Sequence, residues 1–206
     1  MGAIIEQRNV DGFVGFNPGK LDGSLDGNKV TASPDEAGKL MNSLQQADGL
    51  KDLNATVAYL GQHHAVDARR LGIVGFCMGG RVSYLMAAAQ PAFKVAIDYY
   101  GGSIMVPWGD GVAPFARTAE IGCPLLGLFG EEDGNPSPGD MKKLDAELTR
   151  HGKPHEFHSY PGANHAFMNR RGARYHEKAD RDSWPKALAF FAEHLGGVAA
   201  AAANVR

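Results

Sequence analysis

Apolar residues in this chain fall into short unbroken runs separated by stretches with helical spacing. Leu71–Phe76 is such a run, as are residues 94–99 and 123–130, and residues 154–160 alternate as a strand does. Between them lie segments of a different period. Leu53, Val57, Ala58 and Leu60 share a helical face, with Gly61 as a stop signal. Residues 78–90 continue directly from the first run as a helix. Residues 141–150 place Leu144 and Leu148 inward, and His151-Gly152 closes them. Residues 183–195 form a last amphipathic helix carrying Trp184, Leu188, Phe191 and Leu195. An earlier helix is expected after Ser33, where Ser33-Pro34-Asp35-Glu36 supplies a cap, a proline at the first position and an acid in the first turn. Its stripe would be Leu40, Met41 and Leu44. Residues 107–117 and 131–136 read as loops. Strands alternating with helices predict an α/β fold, a mostly parallel sheet covered on both faces.

The start of the chain is weakly patterned. Gly12-Phe13-Val14-Gly15-Phe16 reads as a short strand ended by Pro18, and residues 19–33 read as loop. We expect one domain over residues 1–195, with 1–33 poorly defined, and a frayed Ala-rich tail over 196–206.

Composition narrows the function classes. A net charge of -2 gives no basic excess for nucleic acid, and the Arg170, Arg171, Arg174 cluster is too small for a phosphate footprint. No apolar run is long enough for a membrane span, and residues 1–7 lack a signal-peptide pattern. Two cysteines make no disulfide framework, so a reducing, cytoplasmic location is expected. Neither metal nor cofactor is expected. Cys77, Cys123 and the histidines show no paired-ligand spacing, His155 and His158 fall on opposite faces of a strand, and adjacent His63 and His64 read as surface residues.

The chemistry gathers around Gly75-Phe76-Cys77-Met78-Gly79-Gly80. Gly-x-Cys-x-Gly between a strand and a helix has the spacing of a nucleophile elbow, with cysteine at its apex. The helix that follows aims its first N–H groups at the thiol. The plainer reading is a buried structural cysteine in a glycine-rich turn. Two later residues weigh against it. Asp133 and His165 each sit in a Gly/Pro-rich turn after an apolar strand, and nucleophile, acid, histidine is the chain order of α/β-hydrolases.

Three blocks carry a more specific resemblance. These are residues 75–80, Leu128-Phe129-Gly130-Glu131-Glu132-Asp133, and Tyr160-Pro161-Gly162-Ala163-Asn164-His165-Ala166-Phe167. Together they resemble the catalytic blocks of the dienelactone hydrolase family, and Tyr99-Tyr100-Gly101-Gly102 is similar to its strand end after the elbow helix. The resemblance covers about residues 33–195. It implies an α/β-hydrolase sheet and hydrolysis of small esters or lactones through a cysteinyl acyl-enzyme. Cys77 would be the nucleophile, His165 the base, Asp133 the orienting acid, and the Met78 N–H an oxyanion donor.

The resemblance also implies departures. Residues 12–18 match a strand well inside the family's sheet, so the fold is expected to be N-terminally truncated, without the family's first strands and second oxyanion donor. Leu71–Phe76 would then form a sheet edge open to self-association. The positions that hold the carboxylate of dienelactone appear here as Pro34, Gly38 and Asn169, with Arg170 one residue late. A substrate other than dienelactone, or one held differently, is expected. Two other readings stand beside this one. A class I amidotransferase shares the cysteine elbow, but its histidine precedes a glutamate by two residues, where this chain has Phe167. A non-catalytic α/β fragment acting as an interaction protein would keep the motifs without turnover.

Overall fold

The structure, a computed structural model, describes residues 13–15, 39 and 43–196. Among these residues five parallel strands form one sheet in sequential order: β1 (Phe13–Gly15), β2 (Leu71–Phe76), β3 (Phe93–Tyr99), β4 (Leu125–Gly130) and β5 (His155–Tyr160). Around it lie α1 (Gln46–Gln62), α2 (Met78–Ala89), α3 (Pro138–Arg150) and α4 (Glu177–Leu195), with a 3-10 turn at Pro114–Glu120. The expected fold class is the one observed.

Both faces of the sheet's central strands are buried, as parallel strands require. On one face Leu71, Ile73, Ala96 and Leu125 pack with Leu53 of α1, Val82 and Leu85 of α2, and Leu144 and Leu148 of α3. On the other, Val74, Val95, Ile97, Leu126 and Leu128 meet Ala187, Phe190 and Phe191 of α4. Alternation along each strand therefore divides the side chains between two cores. β2, β3 and β4 lie between them and are buried almost throughout.

Several expectations change. Leu71–Phe76 has a neighbour on each side, because β1 pairs with it from Phe13↔Gly72 to Gly15↔Val74. The expected edge is therefore covered along those residues. α1 runs through Gly61 to Gln62, since one glycine within an otherwise regular stripe costs too little to end a helix. Leu44 lies outside α1, while Leu40, Met41 and the cap at Ser33 fall outside the described residues. α3 starts at Pro138, three residues earlier than the apolar pattern implied, on a capping box between Ser137 and Asp140. α4 begins at Glu177 and carries Pro185 inside it. Its buried residues are Ala179, Asp180, Ser183, Ala187, Phe190, Phe191 and Leu195, so the expected Phe191 and Leu195 face inward while Trp184 is 39% exposed. Gly196 caps α4 in the left-handed conformation, and residues 197–206 fall outside the description. Histidines 63 and 64 follow α1 with their rings stacked at 4.8 Å. No helix among the described residues is long and apolar enough to cross a membrane.

Candidate active site

The elbow is built by close approach of backbone to backbone. A Cβ at Gly75 would lie 1.9 Å from the Gly79 carbonyl oxygen, so β2 can enter the turn only as glycine. Cys77 sits at φ 58, ψ -120, a conformation that a non-glycine residue holds only against strain. Three backbone bonds keep it there. Its N–H donates to the Tyr99 carbonyl at 2.9 Å, and its carbonyl accepts from Gly80 at 2.9 Å and Arg81 at 3.3 Å. The thiol is thereby lifted off the end of the sheet at the first turn of α2.

Two loops from neighbouring strands converge on it. Asp133, in the turn after β4, is 4% exposed, and its Oδ2 lies 2.8 Å from His165 Nδ1. His165, in the loop after β5, brings Nε2 to 2.9 Å from Cys77 Sγ. The loops are tied to one another by Glu131 N–H donating to the Tyr160 carbonyl and Glu132 N–H to that of Ala163. Glu131 and Glu132 themselves face solvent, so of the three adjacent acids only Asp133 turns inward.

The charges reinforce one another. Burial alone would push the Cys77 thiol up, but the hydrogen bond and charge of His165, with the Met78 N–H, outweigh it and hold the thiol below its ordinary value. Burial likewise opposes a charged His165, yet its bonds to Asp133 and Cys77 raise it to about 10. Each shift favours the charged form of its group, thiolate for Cys77 and imidazolium for His165. Cys123 contrasts with it. It is buried near the start of β4, and desolvation pushes its thiol up to about 11.

The sequence reading missed three neighbours of this group. Tyr100, at φ 42, sets its ring edge-on to His165 at 5.3 Å between centroids. Asp98, within β3, is fully buried, accepts the Gly101 N–H at 2.7 Å and is pushed up to about 7 by desolvation. Asn135 bonds both the acid and the loop after β3. The run Tyr99-Tyr100-Gly101-Gly102 was the available signal for Tyr100, because glycines behind an aromatic pair mark a tight turn at a strand end. Among the described residues no group of three or more His, Cys, Asp or Glu is placed to hold a metal ion.

Residues 3–195 match the model of the dienelactone hydrolase family. The chain belongs to the dienelactone hydrolase family. A Synechocystis sp. protein named "Putative carboxymethylenebutenolidase" is 32% identical to it over 197 residues, covering 93% of this chain and 79% of that protein. A Bradyrhizobium sp. protein named "Probable 2-oxo-3-(5-oxofuran-2-ylidene)propanoate lactonase" is 36% identical over 163 residues, covering 76% of this chain and 64% of that one. Among solved structures, a "Putative Dienelactone Hydrolase" from Klebsiella pneumoniae superposes with a TM-score of 0.74 at 31% identity, over 81% of this chain and 69% of the other. A Mycobacterium tuberculosis puromycin-hydrolysing peptidase, at 22% identity and a TM-score of 0.61, shares the fold over 72% of this chain and 25% of its own. The chain carries its candidate site beyond the carboxyl ends of the parallel strands β2, β4 and β5.

Proposed function

We propose that this dienelactone hydrolase family member cleaves small carboxylic esters or lactones through Cys77, His165 and Asp133. The observation that carries the reading is the continuous chain of contacts, Sγ to Nε2 at 2.9 Å and Nδ1 to Oδ2 at 2.8 Å. The names of the relatives, a carboxymethylenebutenolidase and a lactonase, support the substrate class.

The steps follow from the charges. The Cys77 thiolate adds to the carbonyl carbon, and the displaced electron pair becomes an oxyanion beside the Met78 N–H, the first backbone donor of α2. The tetrahedral adduct collapses with loss of the alkoxide, which takes the proton from His165 Nε2. In a lactone that alcohol stays attached to the acyl chain. Neutral His165 then accepts a proton from water as the water attacks the thioester, and the acid and the thiolate are released. Asp133 remains a carboxylate throughout, fixing the imidazole and stabilising its charged form.

Hydrolysis of p-nitrophenyl acetate, with alkylation by one equivalent of iodoacetamide, tests the reading. Cys77→Ala, His165→Ala and Asp133→Ala should each lose most of the turnover. Pairs of these changes should lose little more, because groups acting as one unit are not additive. Cys77→Ser should be nearly inactive, since an alkoxide is far harder to generate than a thiolate. The alkylated peptide should contain Cys77. Preferential labelling of Cys123, multiplied losses in the pairs, or labelling of Cys77 without any turnover would overturn the proposal.

A further inference from the structure

One side chain joins the acid loop to the loop after β3. The Asn135 carboxamide oxygen accepts the Ser103 N–H at 2.8 Å, and its Nδ2 donates to Ser103 Oγ at 3.0 Å. The Asn135 N–H in turn donates to Asp133 Oδ1 at 2.8 Å, the carboxylate oxygen that His165 does not use. The two loops pack tightly at this point. A Cβ on Gly102 would stand 2.6 Å from the Asn135 carbonyl oxygen and 2.8 Å from its side chain. Ser103 takes φ 57 to present its N–H and hydroxyl together.

This contact lies between the β5-side end of the acid loop and the capping box that starts α3. The near end of the loop is held by Glu131 and Glu132 through the β5 loop. Beyond Asp133 comes Gly134, with nothing within 4 Å of where a Cβ would stand. The last torsion of an aspartate has a broad preference, and a bond to the second oxygen narrows it. The bond to Oδ1 is directional only if the Asn135 N–H is itself fixed, and the Ser103 contacts fix it.

We propose that Asn135 is a positioning residue of the site: anchored on Ser103, it sets the Asp133 carboxylate so that Oδ2 faces His165 Nδ1. The proposal rests on the Cys77–His165–Asp133 reading above. Asn135 touches neither the thiol nor the imidazole in this structure, and its effect passes through Asp133. A loosely held Asp133 would stabilise the imidazolium less, so the raised affinity of His165 for its proton would fall. Because His165 must be protonated to release the alkoxide, that loss moves the alkaline limb of the rate profile toward lower pH.

The test is the pH profile of hydrolysis of an alkyl ester such as ethyl acetate, whose alkoxide needs the His165 proton as p-nitrophenolate would not. It is measured for Asn135→Ala, Ser103→Gly and the double variant, with His165→Ala beside them. Ser103→Gly keeps the N–H donor and suits the positive φ, losing only the hydroxyl. Asn135→Ala should lower kcat about tenfold to a hundredfold, as small misplacements of a catalytic group do, with KM unchanged and the alkaline limb shifted down. Ser103→Gly should show a smaller effect in the same direction, and the double variant should be no worse than Asn135→Ala. An unmoved limb with unchanged kcat, a rise in KM alone, or multiplied losses in the double variant would overturn the proposal. Should Asn135→Ala fail to fold, Ser103→Gly decides: a downward shift supports the assignment and an unmoved profile rejects it. If His165→Ala retains wild-type turnover, the triad reading fails and this one with it. If His165→Ala is inactive while Asn135→Ala matches the wild type, only the role of Asn135 is lost.

Discussion

Two buried acids, Asp133 after β4 and Asp98 within β3, differ in the partners their oxygens find. Asp133 is buried with both oxygens engaged, Oδ2 with His165 Nδ1 and Oδ1 with the Asn135 N–H. Asp98 has the Gly101 N–H on one oxygen, and desolvation lifts it from 3.8 to about 7. A carboxyl whose affinity for its proton is higher when folded contributes stability that is complete below its unfolded value. That contribution is lost as pH rises through the folded value. The wild type should therefore lose stability between about pH 4 and pH 8 relative to Asp98→Asn, which keeps an acceptor for Gly101 but cannot ionise. The difference is at most about 4 kcal/mol, from three pK units at about 1.4 kcal/mol each. Urea midpoints for the two proteins across that range measure it, and parallel pH curves would refute it. Neither Asp98 nor Asn135 could be singled out from the sequence. Each looks like an ordinary strand or loop residue until β3 and β4 are placed side by side.

Among the elements, the elbow was legible because its constraints are local. Gly75, Cys77 and Gly79 lie within five positions, and the strain they relieve is a matter of neighbouring backbone atoms. Helix ends were less legible, for identifiable reasons. α4 buries Asp180 and Ser183, which receives its neighbours' apolar contacts despite being polar, so its first turns did not register as an apolar stripe. Asp180 earns its burial by accepting Arg170 Nε at 2.8 Å and the Tyr175 hydroxyl at 2.9 Å, which pins the loop carrying His165 to α4. α3 hid its start behind Pro136, Pro138 and Gly139, although Ser137 caps it: Ser137 Oγ accepts the Asp140 N–H at 3.1 Å, and the Asp140 carboxylate accepts the Ser137 N–H at 3.1 Å. Ser137→Ala should cost about 1 kcal/mol, the usual value of such a cap. In a chain of this size that lowers the melting temperature by about 2–4 °C, readable by calorimetry, and an unchanged melt would show the cap to be dispensable.

At the scale of the whole molecule, the parallel sheet and its two cores were legible in the alternation of apolar runs with helical spacing. The pairing of β1 with β2 was not, because three residues carry no signal of which strand they will lie beside. The order of the strands has a consequence in time. Cys77 and His165 are 88 positions apart in sequence, and their contact requires β2, β3, β4 and β5 to be in register first. Contacts that close so long a stretch of chain form late, since the entropy of closure must be met before the contact returns anything. During refolding from denaturant, the thiol should therefore alkylate at the slow rate of an unperturbed cysteine at neutral pH, then accelerate as the last strand docks. Pulses of iodoacetamide at increasing refolding times, compared with far-ultraviolet circular dichroism, would separate the two events. Fast alkylation coincident with the first helical signal would contradict this order. Given this connectivity, the nucleophile keeps its own clock: its reactivity dates the arrival of a strand almost half the chain away.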